Sequence, residues 1–351
     1  MNVVSRSLEV SDLPNRATIR KPLAHLLGGE ATLTLAELAR AVGCTEAFAA
    51  EFWLAMGFPP PAADEPAFAQ CDVESLSVWW SLIETDELSV DALKSLLRAQ
   101  SHMTDRLVLW QMEALVEELG RRYELDDVSA RLAGLSEIDD YVDLLESQTR
   151  YAWRRQMAHL IANTNAEVAL LGKGDADANA YPLRRTMGFL DMVAYTRRTA
   201  TLSARQVARL VQRFELTCRD VISARGGRVV KTIGDAVLWI VNDLESGADI
   251  VCDLMEALEG QEDMLPVRAS LVSGRVVSRS GDIFGPSVNL ASRLVDIVPR
   301  SQIFMDSATA KELVASSVGP RFCCQPARRA DLKGMGEVEA WRLTRLTPPE
   351  Q

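Results

Sequence analysis

Two aspartates sit where aspartate is costly. Asp191 interrupts the apolar run Met187, Gly188, Phe189, Leu190, Met192 and Val193, and Asp235 follows Gly234 in a turn between two apolar segments. A carboxylate in such a strand loses its hydration unless it is paired or bound to a metal. Two carboxylates at strand ends offer hard oxygen ligands, and Mg²⁺ takes one or two of these together with substrate phosphates. Two metal ions held in that way serve displacement at phosphorus. A turn cap would account for Asp235 taken by itself, so it is the pair that carries the reading.

The elements that must hold this pair are interleaved strands and helices. Residues 186–195 read as a strand. Residues 203–224 read as a helix with apolar Val207, Leu210, Val211, Phe214 and Leu216, stopped by Gly226-Gly227. Residues 228–232 and 236–241 form two strands around Gly234-Asp235. Then come a helix at 245–258, a strand at 267–277, a helix at 286–298, a strand at 302–305 and a helix at 307–315. Hairpins follow around Gly334 and Gly336. Such interleaving predicts an α/β or α+β sandwich.

The first half reads as all-α. Residues 1–30 look irregular, then helical. Residues 33–42 have helical apolar spacing, Gly43 breaks them, and Thr45 caps a second helix through Phe48, Phe52 and Trp53 to Gly57. The pair is similar to a helix-turn-helix unit. Its second helix, T-E-A-F-A-A-E-F-W, has no Arg or Lys to meet phosphates or guanine edges, so nucleic acid is not an expected partner. Residues 68–133 give further amphipathic helices. Residues 136–172 read as one long helix whose charge flips from acidic (Asp139, Asp140, Asp143, Glu146) to basic (Arg150, Arg154, Arg155). Gly172, Gly174 and a polar run then mark a linker ending near Pro182. The expected domains are 1–135 helical, 136–182 a helical linker, and 183–351 catalytic.

Composition agrees with two units. The 351 residues carry a net charge of −11. Residues 1–182 hold 15 Lys+Arg against 29 Asp+Glu, and residues 183–351 hold 23 against 20. The acidic half is a poor partner for nucleic acid, whereas the slightly basic half suits a nucleotide substrate. The six cysteines lack metal-ligand spacing and read as free thiols in a reducing compartment. The N-terminus lacks the apolar core of a signal peptide, and no apolar run approaches the ~20 residues that span a bilayer. A cytoplasmic protein without a membrane span is expected.

Three motifs in order now match a family. F-L-D-M-V-A-Y-T, R-V-V-K-T-I-G-D-A-V and G-D-I-F-G-P-S-V-N-L-A-S-R-L, followed by D-L-K-G-M-G-E-V-E-A-W-R-L, resemble class III nucleotidyl cyclases over roughly residues 183–346. The resemblance implies a ferredoxin-like α+β catalytic domain that closes ATP into cyclic AMP and pyrophosphate. It makes Asp191 and Asp235 the ligands of two divalent cations, Mg²⁺ or Mn²⁺. Lys231 and Asp282 match the pair that reads adenine: an ammonium donates to N1 and a carboxylate accepts from the 6-amino group, whereas guanine would present the opposite pattern. Asn289 would orient the ribose, and Arg293, four residues on along one helix face, would stabilise charge on the α-phosphate. Arg268 matches an arginine that approaches the outer phosphates. In this family the metal aspartates come from one subunit and Lys, Asp, Asn and Arg from the other, which implies a two-fold homodimer. A guanylyl cyclase and a catalytically degenerate nucleotide sensor are the competing readings. The first is disfavoured by Lys231 and Asp282, the second by the presence of all six matched residues.

Some positions depart from the pattern. The family's Gly-Phe-Thr is here Ala194-Tyr195-Thr196, where backbone N–H groups of Tyr195 and Thr196 would cradle phosphates. Val-Arg-Ala-Ser-Leu-Val-Ser-Gly lacks the Gly and His often found after the arginine. The helical half resembles the autoinhibitory domain of actinobacterial soluble cyclases, with room for a small-molecule or lipid ligand. His25, His102 and His159 all lie before residue 183. A histidine-based pH response must therefore arise in the helical half, with His159, in the long helix, the first to test.

Overall fold

In the helical half, short polar residues start helices and glycine stops them. The computed structural model describes residues 23–171, 183–279 and 281–346. Thr34 and Glu37 form a reciprocal capping box at the start of α1 (Leu35–Val42), and Gly43 ends it at φ 83°. Thr45 caps α2 (Glu46–Ala55) through the Phe48 N–H. Next come α3 (Gln70–Glu84), α4 (Val90–Tyr123), α5 (Asp127–Glu137) and α6 (Asp139–Leu171). Leu38, Phe52, Phe68, Leu76, Leu93 and Leu97 form the core beneath α1–α4. Trp53 lies 4.6 Å from Phe58 and 4.8 Å, edge-on, from Phe68.

Residues 90–123 form a single 34-residue helix, because nothing between Ser89 and Glu124 breaks it. One detail differs from the sequence expectation. The last long helix begins at Asp139 rather than 136, since α5 runs to Glu137. The chain divides into two compact units, Met1–Leu171 and Gly172–Gln351. The N-terminal stretch to residue 22, the 172–182 linker and the last five residues lie outside the described residues. Among the described residues, no helix is long and apolar enough to cross a membrane.

The second unit is an α/β sandwich on an eight-stranded mixed sheet. Its elements are β1 (Leu183–Met192), α7 (Tyr195–Thr199), α8 (Ala204–Ala224), β2 (Arg228–Ile233), β3 (Ala236–Val241), α9 (Leu244–Glu259), β4 (Val267–Arg279), β5 (Asp282–Phe284), α10 (Pro286–Asp296), β6 (Ile303–Asp306), α11 (Ser307–Ala315), β7 (Phe322–Leu332) and β8 (Gly336–Arg345). The strand order is β2-β3-β1-β4-β6-β8-β7, with β5 paired to β4. Only β4–β6 is parallel among these pairings.

Period-2 alternation sends each strand into two cores. Leu190 and Met192 of β1 and Val237, Trp239 and Val241 of β3 pack under α8, α9 and α11. Met187, Phe189, Leu238 and Ile240 pack under α10 with Val288, Ala291 and Leu294. Gly188 lets the fully buried Trp239 ring cross the sheet: a Cβ there would lie 2.5 Å from the indole and from the Ser270 carbonyl. At the C-terminal end, Arg345 and Arg321 from the β7–β8 region converge with Arg225 on Asp249 of α9. This ion network ties the last strand to the helix layer.

The sequence placed β3 and α11 at their observed bounds. It extended β1 three residues too far, because Ala194 takes a left-handed conformation (φ 62°) and opens α7. The three-residue β5 carries no periodic signal and was not foreseen.

Candidate active site

Strand parity places the first aspartate. Residues 187 and 189 face α10, so Asp191 faces the same side, at the end of β1. There it pairs in register with Ala236 on one side and Arg268 on the other. The Met192 N–H donates to the Asp235 carbonyl at 3.0 Å, which fixes the β2–β3 turn beside it. The two sequence-predicted metal ligands are thus brought together. Burial pushes the Asp191 carboxyl above its usual range; Arg268 pulls it back, and the charges of Asp235 and Asp296 add to the rise. Such a pair suits a divalent cation, and a cationic group already stands against it. Arg268 Nε donates to Asp191 Oδ2 at 2.8 Å, and Nη2 stands 2.6 Å from the same oxygen.

Arg268 is held on its far side as well. Its Nη1 donates to the Asp296 carbonyl at 2.9 Å, at the end of α10. The Asp296 carboxylate lies 3.7 Å from Arg293, one helical turn back. Sequence reasoning missed Asp296, although its i,i+3 spacing from Arg293 was a usable signal. Asn289 and Arg293 are both exposed on α10.

Ser270 lies in the stretch after Arg268 that departs from the family pattern, and its hydroxyl donates to the Ala291 carbonyl at 2.7 Å while accepting from the Phe189 N–H. The departure therefore pins α10 to the sheet. Ala194, the other departure, occupies a backbone conformation that favours glycine. The Tyr195 ring packs against the α8–α9 core, and Thr196 is exposed, its carbonyl accepting from the Ala200 N–H.

The second constellation forms around β2 and β5. Lys231 Nζ donates to Asp282 Oδ2 at 2.6 Å, across 51 residues of sequence. The Ile283 N–H donates to the other oxygen at 2.7 Å, and the Arg228 guanidinium donates to the neighbouring Gly281 carbonyl. Burial works against the Asp282 charge, but Lys231, the Ile283 N–H and Arg228 outweigh it and hold the carboxyl below its usual range. Among the described residues, no hydrogen bond or ion pair joins Lys231–Asp282 to Asp191 or Asp235.

The cysteines contribute no nucleophile here. All six are free, and burial pushes the Cys252 thiol up to about 12. The three histidines lie in the helical unit. His25 Nε2 stands 3.6 Å from Asp143 at the start of α6, and His102 and His159 are exposed on α4 and α6.

The pattern that defines the adenylate and guanylate cyclase catalytic domain matches residues 184–345. An adenylate cyclase of Glutamicibacter nicotianae is 34% identical over 336 residues, covering 94% of this chain and 83% of that protein. The chain belongs to the adenylate and guanylate cyclase family. An adenylate cyclase of Streptomyces coelicolor is 32% identical over 343 residues, with 91% and 88% covered. The adenylyl cyclase CyaB of P. aeruginosa, known as a crystal structure, is 18% identical with a TM-score of 0.41, covering 47% of this chain and 95% of that one. The matched domain of this cyclase contains both constellations, and the similarity to the two bacterial relatives runs on through the helical half.

Proposed function

We propose that this chain is an adenylyl cyclase that converts ATP to 3′,5′-cyclic AMP and pyrophosphate. The observation that carries the choice of ATP is the Lys231–Asp282 pair at 2.6 Å. It presents a donor and an acceptor side by side, the pattern complementary to N1 and the 6-amino group of adenine. In the reaction the ribose 3′-oxygen bonds to the α-phosphorus, the bond from that phosphorus to the bridging oxygen breaks, and pyrophosphate leaves with the electron pair. The 3′-hydroxyl proton is released to solvent.

Asp191 and Asp235 would hold the divalent cations, two per site in this reading. Mg²⁺ or Mn²⁺ bound there supplies positive charge against the triphosphate and acidifies the 3′-hydroxyl. Arg268 binds the outer phosphates, Asn289 orients the ribose, and Arg293 meets the charge that develops on the α-phosphate. The N–H groups of Tyr195 and Thr196 face the phosphates. The separation of the Lys231–Asp282 pair from the aspartates supports a site shared between two copies, with the metal half from one and the base-reading half from the other.

The test is direct. The purified protein is given ATP or GTP with Mn²⁺ or Mg²⁺, and cyclic product is measured. Cyclic AMP from ATP in excess of cyclic GMP from GTP is expected. Product from GTP alone would make it a guanylyl cyclase, and no product from either would leave a nucleotide sensor.

The helical domain at 1–135, joined by a helical linker at 136–182 to the catalytic domain at 183–351, is proposed to regulate this activity. Histidine protonation near α6 fits that role, since α6 carries His159 and its Asp143 faces His25. Full-length His25→Gln and His159→Gln proteins are compared with wild type from pH 5 to 8. Unchanged profiles in both would end the pH reading.

A further inference from the structure

Arg268 is placed to do more than wait for phosphates. Two of its nitrogens converge on one oxygen, Asp191 Oδ2, at 2.8 and 2.6 Å, and the third is tied to the Asp296 carbonyl at 2.9 Å. Each nitrogen of the guanidinium therefore stands against an acceptor. Both side chains are largely buried, at 26% and 15% exposure, and they sit directly opposite each other on adjacent strands. A charge-assisted contact to a carboxylate of this kind is among the stronger ones a protein makes.

A divalent ion needs the same carboxylate. It competes with Arg268 for Oδ2, and a guanidinium left beside it would repel it. Resting on the cyclase reading above, we propose that Arg268 is an internal counter-cation. Without nucleotide it holds Asp191 Oδ2 and weakens metal binding there. An incoming triphosphate draws the guanidinium off the carboxylate and frees Oδ2 for the ion. The swing exchanges one anionic partner for another, so the arginine stays paired throughout. Metal and triphosphate are then linked through one side chain, and each tightens the other by the same factor. The device discourages bare divalent ions from resting at the site.

The experiment reads binding, not turnover. Free Mn²⁺ is measured by electron paramagnetic resonance against the metal-free full-length chain, without nucleotide. Arg268→Gln is expected to bind Mn²⁺ about ten-fold tighter than wild type, and adding Asp191→Asn is expected to abolish that gain. Equal or weaker binding by Arg268→Gln would overturn the proposal. Should that variant fail to fold, Arg268→Lys, which keeps a cation but cannot fork, is expected to fall between the two, and affinity no tighter than wild type would overturn it equally. Inorganic tripolyphosphate supplies the second arm. It should raise Mn²⁺ affinity by a larger factor in wild type than in either variant; the same factor in both sinks the linkage. Cyclic product formed by a protein that fails these tests leaves the cyclase reading standing. Tighter Mn²⁺ binding by a chain that makes no product leaves the counter-cation standing.

Discussion

Asp282 joins base choice to acid stability. Its carboxylate takes the Lys231 ammonium and the Ile283 N–H, so Asp282→Asn removes a charge-assisted acceptor at the position proposed to meet the adenine amino group. Hydrogen bonds to charged groups contribute ~1.5–3 kcal/mol, which puts the expected fall in kcat/KM for ATP at roughly 10- to 100-fold. The ATP-to-GTP ratio should fall with it, and parallel assays of cyclic AMP and cyclic GMP check both. The same residue predicts a pH dependence. Its folded pKa lies below the unfolded value of about 3.8, so the stability it contributes is present above that value and is lost as pH falls through the lowered one. Lys231 is 41% exposed, which limits the contribution to ~1 kcal/mol or less. Denaturant melts of wild type and Asp282→Asn should differ at pH 7 and converge at the acid end.

At the scale of elements, the turn after β1 is where sequence and backbone disagree. Ala194 sits at φ 62°, a conformation that costs an L-residue ~1–2 kcal/mol, part of which glycine returns in unfolded-chain entropy. Ala194→Gly should stabilise the protein by roughly 0.5–1 kcal/mol, and Ala194→Val should destabilise it by at least ~1 kcal/mol, both read from thermal melts. The same elements show what was legible beforehand. The unbroken apolar run of β3 and the Asp306 cap of α11 marked their bounds directly, since an apolar run and a cap are local signals. Asp191 and Asp235 were visible as charges within and between apolar strands. The Arg268–Asp191 contact was not, because 77 residues separate the partners and only the β1–β4 register brings them together. The hold of Asp296 on Arg268 was hidden for a different reason: its backbone carbonyl, not its side chain, makes the contact. The three residues of β5 are too few to show a period, yet they deliver Asp282.

At the scale of the molecule, the shared-site proposal gives each chain two half-sites, and among the described residues no hydrogen bond or ion pair joins them. Mixing Asp191→Ala chains with Lys231→Ala chains should restore activity that neither has alone, because one of the two shared sites in a mixed pair keeps both intact halves. Failure to complement, with both variants folded and dimeric by sedimentation, would argue that a single chain builds the whole site.

The sheet order has a consequence for how such an enzyme fails. Asp191 lies on β1, which is flanked on both sides, whereas Lys231 lies on β2, the outermost strand, and Asp282 on the short β5 beside β4. Outer strands open with less free energy than inner ones. Amide hydrogen exchange should therefore release β2 and β5 before β1. On warming, the protein should become indiscriminate before it becomes inert, accepting the wrong purine while the phosphate end of its site is still folded.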